Sequence, residues 1–206
     1  MTSKRVVHIV DDGAAVRRAL VRLLRSEGLE AVTYETAQAV LNAATSLSSG
    51  CILLDLQMPG MDGLELLARL GEHAIDLPVI VVTGHGDVPT AVRAMKAGAV
   101  DFIEKPIDET RLFAAVDTAL AESKPGAQDR AAAEATDKMA ILSPREREVL
   151  EAIALGRPNK LIAYDLGISV PTVEVHRAHM LDRLSVRNIA EAIRIAVMAA
   201  LAKPAG

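Results

Sequence analysis

The chain holds one cysteine in 206 residues, Cys51. No internal disulfide can form, so a packed core must hold the fold, and Cys51, within the apolar run CILL, reads as a small buried hydrophobe rather than a reactive thiol. Long hydrophobic runs are missing as well. No apolar stretch approaches the roughly 20 residues that span a bilayer, and the start MTSKRVV lacks the apolar segment of a signal peptide. A cytoplasmic, soluble protein is expected, with no membrane partner. No glycine-rich loop follows the first apolar run, where DDGAAV stands, which counts against a flavin or dinucleotide site. His176 and His179 are three apart, but no cysteine or third histidine accompanies them, so a metal site is not favoured there.

Half of the residues are apolar, enough for two small cores in a chain of this length. Charge is uneven. Residues 1–122 carry 11 Lys and Arg against 17 Asp and Glu, whereas residues 139–206 carry 9 against 7. An acidic front half therefore precedes a mildly basic back half, a balance that suits a rear module approaching phosphates but is too small to establish nucleic-acid binding.

From Arg5 onward, short β-branched runs alternate with amphipathic segments: VVHIV, EAVTY, CILLD, PVIVVTG and VDFIE each precede a helical stretch. Five β/α repeats with continuous apolar strands predict a doubly wound, five-stranded parallel sheet covered by helices on both faces. Gly28, Gly71 and Gly98 sit where helices should stop. Residues 123–138, SKPGAQDRAAAEATDK, read as a linker with helical tendency. The expected division is thus 1–122, a linker over 123–138, and an all-α domain of four helices over 139–206. Ser143, Pro144 and Glu146 form a helix start with a capping box.

Asp11 and Asp12 end the first strand and Asp55 the third, so all three should meet at the carboxyl edge of the sheet, where such folds place their sites. Crowded carboxylates repel unless a hard divalent cation such as Mg²⁺ neutralises them. Thr83 ends the fourth strand and Lys105 the fifth. Hydroxyl, ammonium and metal together would surround a phosphoryl group on Asp55. Taken singly, each acid reads more readily as a helix cap and Lys105 as a solvated turn residue. His85, flanked by glycines, reads as a loop residue. An Asp-nucleophile phosphatase or dehalogenase would want a second acid two residues after the nucleophile, and Gln57 stands there, so an enzyme is not expected.

Jointly, the acid pair, DLQMPGMDG, TGHGD and EKP resemble the receiver domain of two-component response regulators, over roughly residues 4–122. The resemblance implies that Asp55 accepts a phosphoryl group from a histidine kinase, that Asp11, Asp12 and Asp55 hold Mg²⁺, and that Lys105 pairs with the phosphate. It also implies that Thr83 and Phe102 are a switch pair, that Val92, Lys96 and Val100 lie on a dimer interface, with Val92 and Val100 alternatively plain core residues at helical spacing, and that Lys105–Pro106 is a cis peptide. Gly13 departs from the third acid often found after the pair, which touches Mg²⁺ affinity or phosphoryl lifetime.

The run from SPREREVL to DRLSV resembles the LuxR-type helix-turn-helix, over roughly residues 139–203. By that resemblance Asn159 to Leu166 is the scaffold helix, Gly167-Ile168-Ser169 the turn and Val170 to Leu184 the recognition helix in the major groove. Ile162, Leu166, Ile168, Val173, Leu181 and Leu184 would pack the motif. Glu174, Val175 and Ala178 would face bases, with Lys160, Thr172, His176 and Arg177 placed for phosphate or neighbouring contacts. Glu174 is equally a solvated acid. TGHGDVP, SPRERE and NKLIA are most similar to the FixJ branch, which implies a phosphorylation-activated transcriptional activator of oxygen-regulated, microaerobic or nitrogen-fixation genes. The partners so implied are a cognate histidine kinase, promoter DNA, a second copy of the chain when phosphorylated, the monomer otherwise, and RNA polymerase. In the branch, the unphosphorylated receiver masks the DNA-binding domain. A regulator acting through protein contacts alone is the remaining alternative.

Overall fold

The computed structural model describes residues 6–73, 75, 77–84, 86–122 and 127–201, with the backbone alone at 122, 127–130 and 201. Two compact units divide it: residues 1–86 with 97–125, and residues 87–96 with 126–206.

The first unit is built on five parallel strands, β1 (Val6–Val10), β2 (Glu30–Tyr34), β3 (Gly50–Leu54), β4 (Val79–Thr83) and β5 (Ala99–Glu104), in the order β2-β1-β3-β4-β5. β1, β3 and β4 are wholly buried β-branched or leucine-rich runs, as central strands of a two-sided sheet must be. β2 departs from the expected continuous burial. EAVTY is half-buried or exposed throughout, on an edge strand with β1 as its single neighbour.

Helices α1 (Ala14–Ser26), α2 (Ala37–Asn42), α3 (Gly63–Glu72) and α5 (Glu109–Glu122) flank the sheet, with a 3₁₀ turn at Ala44–Ser46. One core joins α1 and α5 to the strands through Leu20, Leu24, Leu53, Ile80, Leu112 and Val116. Gly28 and Gly98 take positive φ values of 73° and 101° at helix exits, as expected. Gly71 does not stop its helix. α3 continues to Glu72 and is capped at His73, whose N–H bonds the Arg69 and Gly71 carbonyls.

The second unit gathers α4 (Val88–Lys96), α6 (Ala127–Ala140), α7 (Pro144–Ala154), α8 (Asn159–Leu166), α9 (Val170–Leu184) and α10 (Ile189–Leu201). α10 carries an almost unbroken apolar sequence and packs against α6, α4 and α7, which bury Ala192, Ile193 and Ala196. The expected capping box is present: Ser143 Oγ accepts from the Glu146 N–H and Glu146 Oε2 accepts from the Ser143 N–H at 2.9 Å. α8 ends on Gly167 at φ 64°, and Ser169 then caps α9 by accepting from the Thr172 N–H.

Candidate functional site

The strand order reverses between β1 and β3, and the crevice outside the carboxyl ends of such a sheet is where ligands bind. β1 delivers Asp11 and Asp12 there, and β3 delivers Asp55. Oxygen atoms of the three carboxylates lie within 4.8 Å of one another, Asp11 and Asp55 buried and Asp12 exposed. Lys105 reaches in from the end of β5, its Nζ donating to Asp11 Oδ2 at 2.9 Å and to Asp55 Oδ2 at 2.6 Å. Burial alone would pull the Lys105 pKa down. Hydrogen bonds and charges from Asp55 and Asp11 outweigh it, so the ammonium is held above the usual lysine range.

Backbone donors fix the acids further. Asp11 Oδ1 accepts from the Gly13 N–H at 2.8 Å and Asp55 Oδ1 from the Gln57 N–H at 3.0 Å. Thr83 is fully buried at the end of β4, and its carbonyl takes the Lys105 N–H at 2.8 Å. Lys105–Pro106 is cis. A set of three carboxylates is the hard-oxygen donor chemistry that a hard divalent cation requires. Among the described residues, no other group of three His, Cys, Asp or Glu side chains clusters this way, His176 and His179 included.

Glycines give the site its room. A Cβ at Gly63, the first residue of α3, would lie 2.3 Å from the Asp55 carbonyl oxygen, so only glycine lets α3 start this close to the loop after β3. A Cβ at Gly13 would stand 3.0 Å from Asp11 Oδ1. Asp62, next to Gly63, serves as the N-cap of α3, its carboxylate accepting from the Glu65 N–H at 2.8 Å.

In the second unit, α8 and α9 pack as a helix-turn-helix over buried Ile162, Val173 and Leu184, with Leu166, Ile168 and Leu181 half-buried. Glu174, Val175, Ala178 and Lys160 are exposed, and Thr172, His176 and Arg177 are half-buried. Arg177 is engaged: its Nη1 donates to Asn159 Oδ1 at 3.0 Å and so clasps α9 to the start of α8.

Residues 7–117 match the response regulator receiver domain family, and residues 140–196 match the luxR family of bacterial regulatory proteins. The chain belongs to the response regulators. This regulator is 43% identical to the transcriptional regulatory protein FixJ of Bradyrhizobium diazoefficiens, over 98% of either chain. It is 48% identical to FixJ of Azorhizobium caulinodans, over 95% of this chain and 93% of that one. Among solved structures, full-length FixJ from B. japonicum aligns with a TM-score of 0.59 and 42% identity, covering 97% of the regulator and 99% of that chain.

The regulator brings Asp11, Asp12, Asp55 and Lys105 into one cluster, as the motifs led one to expect. Phe102 is buried in β5, Val92 is buried in α4, Val100 is half-buried and Lys96 is exposed. His85 lies outside the described residues. The regulator's Met180, wholly buried in α9, was not among the residues expected to pack the helix-turn-helix; neighbouring Leu181 was, and is only half-buried. Asp101 was also missed. Its Oδ1 accepts from the Phe102 N–H at 2.7 Å and from Arg111 Nη2 at 2.5 Å, and no motif flags it.

Proposed function

We propose that the chain is a phosphorylation-activated transcriptional activator, with a receiver over residues 1–122, a linker over 123–138 and a LuxR-type DNA-binding domain over 139–206. The observation that carries this reading is the Asp11–Asp12–Asp55 cluster bridged by Lys105, on a chain that also holds a helix-turn-helix.

An Asp55 carboxylate oxygen attacks the phosphorus of a kinase phosphohistidine; the P–N bond breaks, an acyl phosphate forms and the histidine recovers a proton. Asp11, Asp12 and Asp55 would hold Mg²⁺, which neutralises the carboxylates and the arriving phosphoryl oxygens. Lys105 donates to a phosphoryl oxygen in place of the Asp55 carboxylate oxygen that it holds, along with Asp11, in the resting state, and the Thr83 hydroxyl takes another, with buried Phe102 as its switch partner. The added charge biases a two-state element that is read elsewhere in the molecule. Phosphorylation relieves inhibition by the receiver and promotes pairing of the monomer through Val92, Lys96 and Val100. Two modules then bind paired half-sites at higher effective concentration. The chain is a transcription factor rather than an enzyme, working in the cytoplasm with RNA polymerase. No helix of the described residues is long and apolar enough to cross a membrane. The names FixJ and Nodulation protein W among its relatives support control of nitrogen-fixation or microaerobic genes.

On DNA, exposed Glu174, Val175 and Ala178 face bases, while Lys160, Thr172, His176 and Arg177 contact phosphates or neighbouring groups. Glu174→Ala is expected to relax base preference at one position by about 1–3 kcal/mol while leaving non-specific binding and its salt dependence unchanged. Binding to promoter and mutated promoter DNA at two salt concentrations checks this. No promoter preference in the wild-type chain would favour a regulator that works through protein contacts.

A further inference from the structure

Of the three acids, Asp12 is the exposed one, and among the described residues its carboxylate has no hydrogen-bond partner, whereas Asp11 and Asp55 are each held by Lys105 and by a backbone N–H. Something other than its own side-chain contacts must aim it. The peptide unit joining Asp11 to Asp12 is planar, so fixing its carbonyl oxygen fixes the nitrogen of Asp12 and narrows the directions its side chain can take. That carbonyl oxygen accepts a hydrogen bond of 2.6 Å from Arg17 Nη1.

Arg17 lies on the first turns of α1 and is itself braced. Its backbone N–H donates to the Gly13 carbonyl, and its Nη2 stands 3.8 Å from Glu35 Oε2, just past the end of β2. Its side chain is 14% exposed against 73% for Glu35, so the guanidinium is a packed strut and not a waving surface charge. A planar fork can hold the carbonyl with one nitrogen and face the carboxylate with another, which a lysine cannot do. Gly13 adds no further carboxylate, so the metal-binding charge rests on three acids and depends more heavily on Asp12 being well placed.

We infer that Arg17 is a positioning residue for the divalent-cation site: it clamps the Asp11–Asp12 peptide so that the Asp12 carboxylate faces Asp55. The inference rests on the reading that Asp11, Asp12 and Asp55 bind Mg²⁺. Mg²⁺ demands near-ideal octahedral geometry, so loosening one ligand weakens binding even when every ligand is still present. Positioning and simple charge make opposite forecasts. Deleting a nearby cation should tighten Mg²⁺ binding by relieving repulsion, whereas losing the clamp should weaken it.

The test is the Mg²⁺ dissociation constant of the unphosphorylated full-length chain, by titration calorimetry, for wild type, Arg17→Ala, Arg17→Lys and Arg22→Ala. Arg22 lies further along α1 and is exposed, so its removal makes the same change in charge without touching the clamp. Arg17→Ala is expected to weaken Mg²⁺ binding about tenfold, the usual scale for a group that orients a metal ligand. Arg17→Lys should fall between it and wild type, and Arg22→Ala should match wild type or bind slightly tighter. Arg17→Ala affinity equal to or tighter than wild type overturns the inference, as does an equal loss in Arg22→Ala. If Arg17→Ala does not fold, Arg17→Lys decides alone: weaker binding supports the clamp and unchanged binding overturns it. A wild-type chain that takes up no Mg²⁺ overturns the underlying reading and the inference with it.

Discussion

Lys105→Ala is expected to destabilise the receiver by roughly 2–3 kcal/mol when divalent cations are chelated, the partial exposure of the ammonium reducing the larger cost typical of a broken buried pair. The reason is geometric. Among the described residues, Nζ is the one cation paired with Asp11 Oδ2 and Asp55 Oδ2, at 2.9 and 2.6 Å, and the two carboxylates are 5% and 8% exposed. Deleting it leaves two buried like charges facing each other. Mg²⁺ should return much of the loss, because a divalent cation replaces the missing charge. Urea unfolding of the full chain with EDTA and with Mg²⁺ measures both. The same variant should accept a phosphoryl group from acetyl phosphate about tenfold more slowly or worse, since a charge-assisted hydrogen bond is worth about 1.5–3 kcal/mol. The Lys105 pKa is raised in the fold, so its contribution is complete below the unfolded lysine value near ~10.4 and is lost as pH climbs through the higher folded value. Equal stability of wild type and variant in EDTA would contradict this account of the site.

The helix-turn-helix unit has its own weak point at Glu146, which is 2% exposed. Burial alone would raise its pKa, but hydrogen bonds from the Ser143 backbone and side chain and the charge of Arg183, 3.3 Å away, outweigh it and hold the carboxyl below the usual range. Glu146→Ala orphans the Ser143 N–H at the start of α7 and removes the tie to Arg183 on α9. A loss of about 2–3 kcal/mol is expected from the broken cap and the unsatisfied donor, and a melting temperature lower by roughly 10 °C or more. A depressed folded pKa contributes stability above the unfolded glutamate value near ~4.3, and that stability is lost as pH falls through the folded value. Wild type should therefore lose stability below about pH 4.5 more steeply than Glu146→Gln, which lacks this carboxyl. Thermal melts of the full chain from pH 3 to pH 7, the range around that value, check both statements; parallel pH profiles for the two proteins would contradict them.

Much of this was readable because local and global signals agree. VVHIV and EAVTY became strands at those residues, and α8 and α9 begin and end where NKLIA, Gly167 and Ser169 said they should. The acids after β1 and β3 converge because a doubly wound sheet places the ends of its parallel strands together, which needs topology and no side-chain detail. What escaped was information held in packing and contacts that no local motif records. Gly50 and Gly63 look like ordinary breakers, yet a Cβ at Gly50 would lie 1.8 Å from the Val6 carbonyl oxygen, and one at Gly63 would strike the Asp55 carbonyl. Arg17 carries no motif; its role depends on a carbonyl six residues earlier. Met180 against Leu181 turned on the phase of a helix whose apolar stripe is weak. Gly71 failed as a stop because it stands one residue short of the helix end, where its flexibility costs little.

The most direct test of the central claim is the affinity of full-length protein for promoter DNA, with Mg²⁺, in the presence and absence of acetyl phosphate, for wild type and Asp55→Asn. The account predicts that the phosphodonor tightens wild-type binding by about tenfold to a hundredfold, the usual scale of coupling between two sites, and leaves Asp55→Asn unchanged. Wild-type binding indifferent to the phosphodonor, with Asp55 shown by mass spectrometry to be phosphorylated, would contradict it.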